Sequence, residues 1–580
     1  MRRLAAVFAA ALALSAAPVS AEDAAAAEQS APAPLPVILS GEQRAVYRDA
    51  FAAIRARDWA TAASKLSSIP EGPLHNVARA RLYLAPGSPR IEMQALLDLA
   101  SRARELPEAE QLVRLATSRG AEEVPVLPTQ HRMARQRSQP RRGRPDSIRN
   151  EESWRTLDAL IQPLIVADRP QEAQALLDGH GADLPPEVLT EFQQRIAWSY
   201  YLTGNDRSAL ALADRARRGI GEWVIQAEWT AGLANWRLGD CNDAGRAFAG
   251  VAARSTDQEL SAAGHYWTSR AAMACRHPER VQAHLRSAAR LGETFYGLLA
   301  ARALGLRTPT IPDSGSLARA DWRTVADERN ARAAIALVEI GERDIAADLV
   351  RHQARIGQPR EHEALIRLAE RLNLTGTQMW LGHNAPRGVT VDPLARYPLP
   401  DWRPTRGWRV DRSLVFAHAL QESNFDPTAV SHAGARGLLQ VRPGTAGDIA
   451  RWRGESSTGI NLNDPATNIE FGQSYIEYLR DRPAIGGLLP RVIAAYNAGP
   501  SPIEQWTGRG FDRGDPLLYI ESIPYWETRG YVPIILRNYW IYEQRSGREG
   551  ASRAALVQGM WPRFPGLSGA AAVRMDNRAR

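Results

Sequence analysis

The chain has 580 residues, 44% of them hydrophobic and 23% charged, with a formal net charge of +8. That length is too great for one hydrophobic core, and the composition is ordinary for a soluble globular protein. Lys65 is the only lysine, so arginine carries the positive charge, and an excess this small for the length does not call for a nucleic-acid partner.

The N-terminus reads as an export signal. Arg2 and Arg3 precede an apolar, Ala-rich run from Leu4 to Ala17, and Val19-Ser20-Ala21 is a small-residue cleavage site. The run is too short for a membrane span, and the rest of the chain has no other candidate. The expectation is therefore a signal peptide over 1–21, cleaved after Ala21, and a periplasmic protein. A low-complexity segment over 22–40 follows.

From 41 to 385 helical periodicity dominates and strand-like alternation is scarce. Turns recur at Gly204, Gly239 and Cys275, 35 and 36 residues apart, and again at Gly341. This is the period of helix–turn–helix solenoids, whose units bury their apolar stripes only by stacking. After each of the three glycines an alanine follows five residues on (Ala209, Ala244, Ala346), where a second helix would pack closely. The repeats are irregular, so the prediction is an all-α, irregular α-superhelix. Trp198, Trp229, Trp236 and Trp267 read as its core. Cys241 and Cys275, an even count in an exported chain, point to a disulfide, with two separate buried thiols as the alternative.

One stretch interrupts the pattern. Residues 120–150 are broken by Pro and Gly and hold seven arginines between Arg132 and Arg149. They read as a solvated, Arg-rich inserted loop. Five prolines between Pro386 and Pro404 then rule out continuous helix and mark a linker over 386–404. Residues 405–545 are denser in aromatics and turn signals, and form a separate domain of mainly α character. The segment 546–580 reads as a flexible tail.

The second domain carries the chemistry. Asp411 is placed to cap a helix through Glu422. Leu414, His418 and Glu422 share one face, which also carries Val415 and is the buried side. A carboxylate there loses solvation and meets the negative end of the helix dipole. Both effects raise its pKa, which suits a proton donor near neutral pH. A plain helix-end cap or ion pair is the alternative. Downstream, "SHAGARGLLQ" turns the backbone with glycines and ends in the amide of Gln440. "AAYNAGPSPIEQW" ends a helix at Tyr496 and Asn497, and "YIESIPYWETRGYV" adds an acidic, aromatic stretch.

Taken together, Glu422-Ser423, "GARGLLQ", "AYNAGP" and "ESIPYWETRGYV" resemble the soluble lytic transglycosylases, in order and spacing, from Trp408 to Tyr542. The resemblance implies a lysozyme-like catalytic domain behind an N-terminal α-superhelix, acting on the glycan strands of peptidoglycan. It implies Glu422 as the single catalytic acid/base. It further implies Ser431, Gln440, Tyr496, Asn497 and Glu527 as substrate-binding, with Glu521 ordering its loop. Two positions depart from the family pattern: Leu439 stands in place of a methionine, and Arg442 replaces a second. Leu for Met conserves volume.

A retaining glycosidase ordinarily needs a second carboxylate as nucleophile. The nearest acid in sequence, Asp426, reads as Asp-Pro turn chemistry. A single-carboxylate scheme fits better, and the resemblance implies its product, a 1,6-anhydromuramyl sugar. A hydrolytic muramidase on the same fold and a non-catalytic wall-binding scaffold are the alternatives. With no metal-ligand cluster, P-loop or Ser-His-Asp pattern, no metal or cofactor is expected.

Overall fold

The structure is a computed structural model describing residues 35–149, 151–306 and 317–575. The expected leader lies outside the described residues. Those residues form 27 α-helices and four strands of two or three residues each, so the fold is all-α. The chain divides into two compact units, one within Met1–Gln136 and Asp313–Pro400, the other within Arg137–Pro312 and Asp401–Arg580.

The first unit draws its core from both of its stretches. Tyr47, Phe51, Leu96, Leu99 and Leu112 pack in one cluster with Leu337, Leu349 and Leu365. Its first helix, Gly41–Ala56, starts at a capping box in which Ser40 and Gln43 satisfy each other's backbone donors. The strand Met133–Arg135 pairs antiparallel with Asn384–Pro386.

In the second unit the repeats are helix pairs. Trp223–Leu238 ends at Gly239 (φ 88°), and Asp240 then caps Cys241–Arg254 by accepting from the Asp243 amide. Asn205 caps Asp206–Ala216 in the same way. Ala209 and Ala244 are fully buried, as close packing between paired helices requires. Gly204 (φ 82°) has a further reason to lack a side chain, since a Cβ there would stand 2.6 Å from the Phe511 ring. Cys241 and Cys275 are bonded, with Cα atoms 5.6 Å apart.

The Arg-rich stretch is largely exposed, as expected, but it is anchored at particular points. Met133–Arg135 is a strand, and further along Arg142 is paired with the buried carboxylate of Glu521 at 2.6 Å and lies over the Trp229 ring. Arg144 lies over Trp223. Indole faces and one long-range carboxylate give two of its guanidiniums, Arg142 and Arg144, partners elsewhere in the fold.

The helix Trp526–Arg545 is the spine of the remaining part, burying Val532, Ile535, Leu536 and Trp540 among others. Arg412–Ser423 and Leu489–Ala498 pack against it. The segment expected as a loose tail also joins this core. Helix Ala551–Val557 buries Leu556, and Trp561 is fully buried, donating its indole N–H to the Gly514 carbonyl at 2.8 Å. The apolar residues of "WPRFPGL" outweigh the Gly, Pro and Arg that suggested a flexible tail.

Candidate active site

Helix Arg412–Ser423 begins where Asp411 accepts from the Ser413 amide. Every residue from Ser413 to Leu420 is buried, so the helix is enclosed on all sides until its last turn. There Asn424 (φ 50°) and Phe425 (φ 59°) take left-handed conformations, and Phe425 drops into the core against Phe416. Glu422, the last residue but one, is left partly exposed.

One side chain holds its carboxylate and a second backs that side chain. The Tyr531 hydroxyl donates to Glu422 Oε1 at 2.5 Å. The same hydroxyl lies 2.8 Å from His418 Nδ1. Because the phenol proton goes to Glu422, its oxygen accepts from His418, which sets the Nδ1–H tautomer. His418 is fully buried, and burial drives its pKa down to about 3, so the ring is neutral. The relay His418 to Tyr531 to Glu422 fixes one carboxylate oxygen.

Burial pushes the Glu422 carboxyl up to about 7; the Tyr531 hydrogen bond pulls it down, and the nearby Glu527 charge raises it further. Although partly exposed, the carboxylate is crowded by Tyr531 and Tyr496, and this crowding is the desolvation that matters. Two other acids, Glu259 and Glu543, are also pushed to about 7 by burial. Glu259 is tied to Arg537 at 3.1 Å and to the Phe295 amide, and both acids are almost fully buried. Among these three raised acids, Glu422 is the one that opens towards solvent.

The glycine-rich loop after the helix is tightly determined. Ser423 Oγ donates to the Leu438 carbonyl at 2.9 Å, tying loop to helix. Asn468 accepts from the Leu439 amide and donates to the Arg436 and Leu462 carbonyls, each at 2.8 Å. A Cβ on Gly437 would stand 2.2 Å from the Leu462 carbonyl oxygen, so only glycine fits. Gln440 turns its amide nitrogen inward, onto the Gly437 and Ala429 carbonyls. Ser431 is exposed at the loop's turn, where its Oγ accepts from the Ala435 amide. Leu439 packs onto Gly472, which explains how an unbranched methionine is replaced there.

Tyr496 does not bond to Glu422. Its hydroxyl donates to the Leu439 carbonyl at 2.7 Å, and its ring lies 4.5 Å from His418. Asn497 donates to Glu527 at 3.2 Å and accepts from the Thr528 hydroxyl, so it orients Glu527. Glu521 lies apart from this group, buried against Arg142 and accepting from Tyr296 at 2.7 Å.

Sequence reasoning missed three features. Tyr531 sits four residues after Glu527, and that spacing was the available signal for its place between Glu422 and His418. Asn468, which staples the loop, left no local sign. A row of rings also runs outward from Tyr496: Tyr475 at 5.5 Å, Tyr478 at 6.1 Å from Tyr475, and Trp452 at 4.9 Å from Tyr478. Trp452 is 60% exposed at the end of this row, a flat apolar platform open to solvent.

A desolvated acid at a helix end, with a row of aromatic rings leading away from its neighbour Tyr496, thus sits on an all-α domain. Residues 403–517 match the family described as "Transglycosylase SLT domain". Over this stretch the chain is similar to the soluble lytic transglycosylases. It is 42% identical over 137 residues to the soluble lytic murein transglycosylase of Escherichia coli K12, a match covering 23% of this chain and 21% of that protein. The Salmonella typhimurium protein of the same description is 38% identical over 155 residues, covering 26% of this chain and 23% of its own length. The matched segment thus spans about a fifth of these relatives.

The fold likeness is wider. The 70 kDa soluble lytic transglycosylase of Escherichia coli aligns over 90% of this chain and 99% of its own, with a TM-score of 0.51 at 17% identity. An inactive mutant of the Pseudomonas aeruginosa lytic transglycosylase aligns over 88% of this chain and 74% of its own, with a TM-score of 0.51 at 22% identity.

Proposed function

We propose that this protein is a peptidoglycan lytic transglycosylase that cleaves the β-1,4 bond between N-acetylmuramic acid and N-acetylglucosamine. The observation that carries the reading is a single open carboxyl, Glu422, held by Tyr531 and raised to about 7 by burial. Such a group is protonated often enough at neutral pH to donate, and ionised often enough afterwards to accept.

In the proposed reaction Glu422 gives its proton to the glycosidic oxygen, and the bond to the muramyl C1 breaks. The substrate's own acetamido group stabilises the positive charge at C1. Glu422 then takes the proton from the muramyl C6 hydroxyl, whose oxygen bonds to C1. The 1,6-anhydro sugar that results consumes no water, and Glu422 regains its proton. Tyr496 and Gln440 are proposed to position the acetamido group, with Ser431, Asn497 and Glu527 as further ligand contacts. The ring row ending at Trp452 offers faces for sugar rings.

The relatives' names, the family match and the fold likeness support this reading. A wall substrate also fits an exported, periplasmic location, and among the described residues no helix is long and apolar enough to cross a membrane. Mass analysis of products released from purified sacculi tests the proposal. The expected product is one water lighter than the hydrolytic muropeptide, and Glu422→Gln releases none. A hydrated product would instead make this a muramidase.

A further inference from the structure

Helix Arg412–Ser423 encloses a histidine whose ring is satisfied on one side only. His418 is 0% exposed. Its Nδ1 lies 2.8 Å from the Tyr531 hydroxyl, and its Nε2 finds no partner among the described residues. The titratable rings in contact with it are Tyr531 and Tyr496, with centroids 5.9 Å and 4.5 Å away. Among the described residues no charge bears on it, and burial alone keeps it neutral. An orphaned buried nitrogen is costly. A hydrocarbon side chain such as Leu414, one turn earlier and also buried, would fill the position without that cost.

What the histidine brings is direction. A neutral imidazole donates from one nitrogen and accepts at the other, and a phenol has one proton to give. While Glu422 is ionised, Tyr531 gives that proton to Oε1, at 2.5 Å. His418 then donates from Nδ1 and fills the accepting side of the phenol oxygen. Changing tautomer would require a proton to leave Nδ1 and another to reach Nε2, which is shut away from solvent and from every partner. The ring therefore keeps its Nδ1–H when Glu422 takes up a proton. Tyr531 is still unable to accept from Glu422, so Oε1 remains an acceptor. Oε2 is the oxygen left for the proton; it has no hydrogen-bond partner among the described residues and is not closed off from solvent.

We propose that His418 is a positioning residue which, acting through Tyr531, places the proton of Glu422 on Oε2 rather than on Oε1. The inference rests on the function proposed above and deepens it. A proton on Oε1 would lie between two protein oxygens and be withheld from substrate. A proton on Oε2 is free to pass to a glycosidic oxygen, and the same oxygen later takes the proton back. Without His418 the phenol oxygen is released to accept from Oε1–H. The protonated acid then gains a form that cannot donate, and it holds its proton more tightly. Apart from Tyr531, the groups that bear on Glu422 are Glu527 and Tyr496, and a change at position 418 leaves both in place.

Two measurements on the full-length protein test this. In protein carrying nitrogen-15 histidine, the ring signals lost in His418→Asn, or shifted by Tyr531→Phe, identify His418. Their nitrogen shifts should show Nδ1 protonated and Nε2 bare on both sides of the Glu422 titration. A bare Nδ1 overturns the assignment, whatever the enzyme does. Release of anhydro product from sacculi gives the second measurement. His418→Leu should lower kcat about tenfold, the worth of one hydrogen bond, and leave KM unchanged. It should also move the alkaline limb of the pH–rate profile upward, by as much as about one pH unit. His418→Asn, whose amide N–H stands where Nδ1–H stood, should recover most of both effects; thermal melts check that the variants fold. A folded leucine variant with the wild-type kcat and limb overturns the proposal, and so does a loss that a folded asparagine variant fails to rescue. A wild type with the stated tautomer that releases no anhydro product overturns the transglycosylase reading and leaves the placement of the proton standing.

Discussion

At Glu422, the proposed acid/base, the free energy of the proton bears on both rate and stability. Glu422→Gln keeps the shape and the acceptor for Tyr531 but cannot shuttle a proton, so cleavage should fall at least ~10²–10⁴-fold. The same variant should be the more stable protein in alkali. Burial raises the folded pKa from 4.5 to about 7, so the folded state binds this proton more tightly than the unfolded chain. Stability from this group is therefore full below about pH 4.5 and is lost as pH rises to about 7. The glutamine variant should melt like wild type at pH 4.5 and gain on it up to pH 7, by about 3 kcal/mol at most. Melting curves across this window check it; a constant difference would show that burial does not shift the proton. Tyr531→Phe removes the hydrogen bond that lowers the Glu422 pKa, so the alkaline limb of the pH–rate profile should move to higher pH while kcat drops. A limb that moves down would put the phenol in another role. Glu422 was legible in the sequence because an apolar run, a capping aspartate and a following turn are local signals. Tyr531 was not, since its role exists only where two helices 109 residues apart cross.

Among the elements, the loop from Ser431 to Gln440 depends on its supports more than on its own residues. Its glycines announced a turn, and the turn is there. Its shape comes from Asn468 and Ser423, which the loop sequence does not reveal. Gly437→Ala places a methyl against the Leu462 carbonyl and forces a left-handed φ of 71° on alanine. The expected cost is roughly 1–3 kcal/mol in a urea titration, with activity falling further because Gln440 loses its anchor. The helical pairs around Gly204 and Gly239, by contrast, were legible, because a glycine turn, a side-chain cap and a buried alanine recur in both. Cys241 and Cys275 fall in that pattern, and their pairing should show as the absence of free thiol in denatured protein from an oxidising compartment. Reduction should cost about 3–4 kcal/mol by loop-closure arithmetic.

For the whole molecule, composition misjudged two stretches for one reason. Arginine- and proline-rich segments were expected to be loose, and long-range partners anchor them at particular residues. Arg142 meets Glu521 across 379 residues of sequence, and Trp561 fills a socket beside Tyr519 and Arg491. This bears directly on whether residues 405–545, which hold all the proposed catalytic groups, work alone. A fragment over 399–545 would lose Trp561 and leave Glu521 buried beside neither Arg142 nor Tyr296. Loss of one large core aromatic costs about 3–5 kcal/mol, and breaking a buried ion pair costs about as much again. Together these approach the whole stability of a typical domain. The fragment should therefore be unfolded or aggregated by circular dichroism and inert even on small muropeptides. Extending it to 575 should restore part of the melting transition, and adding Glu521→Gln, which discharges the orphaned carboxylate, should restore more. If the 399–545 fragment instead folds with a cooperative melt and forms anhydro product at the full-length rate, neither the Arg142 contact nor the C-terminal segment supports the site.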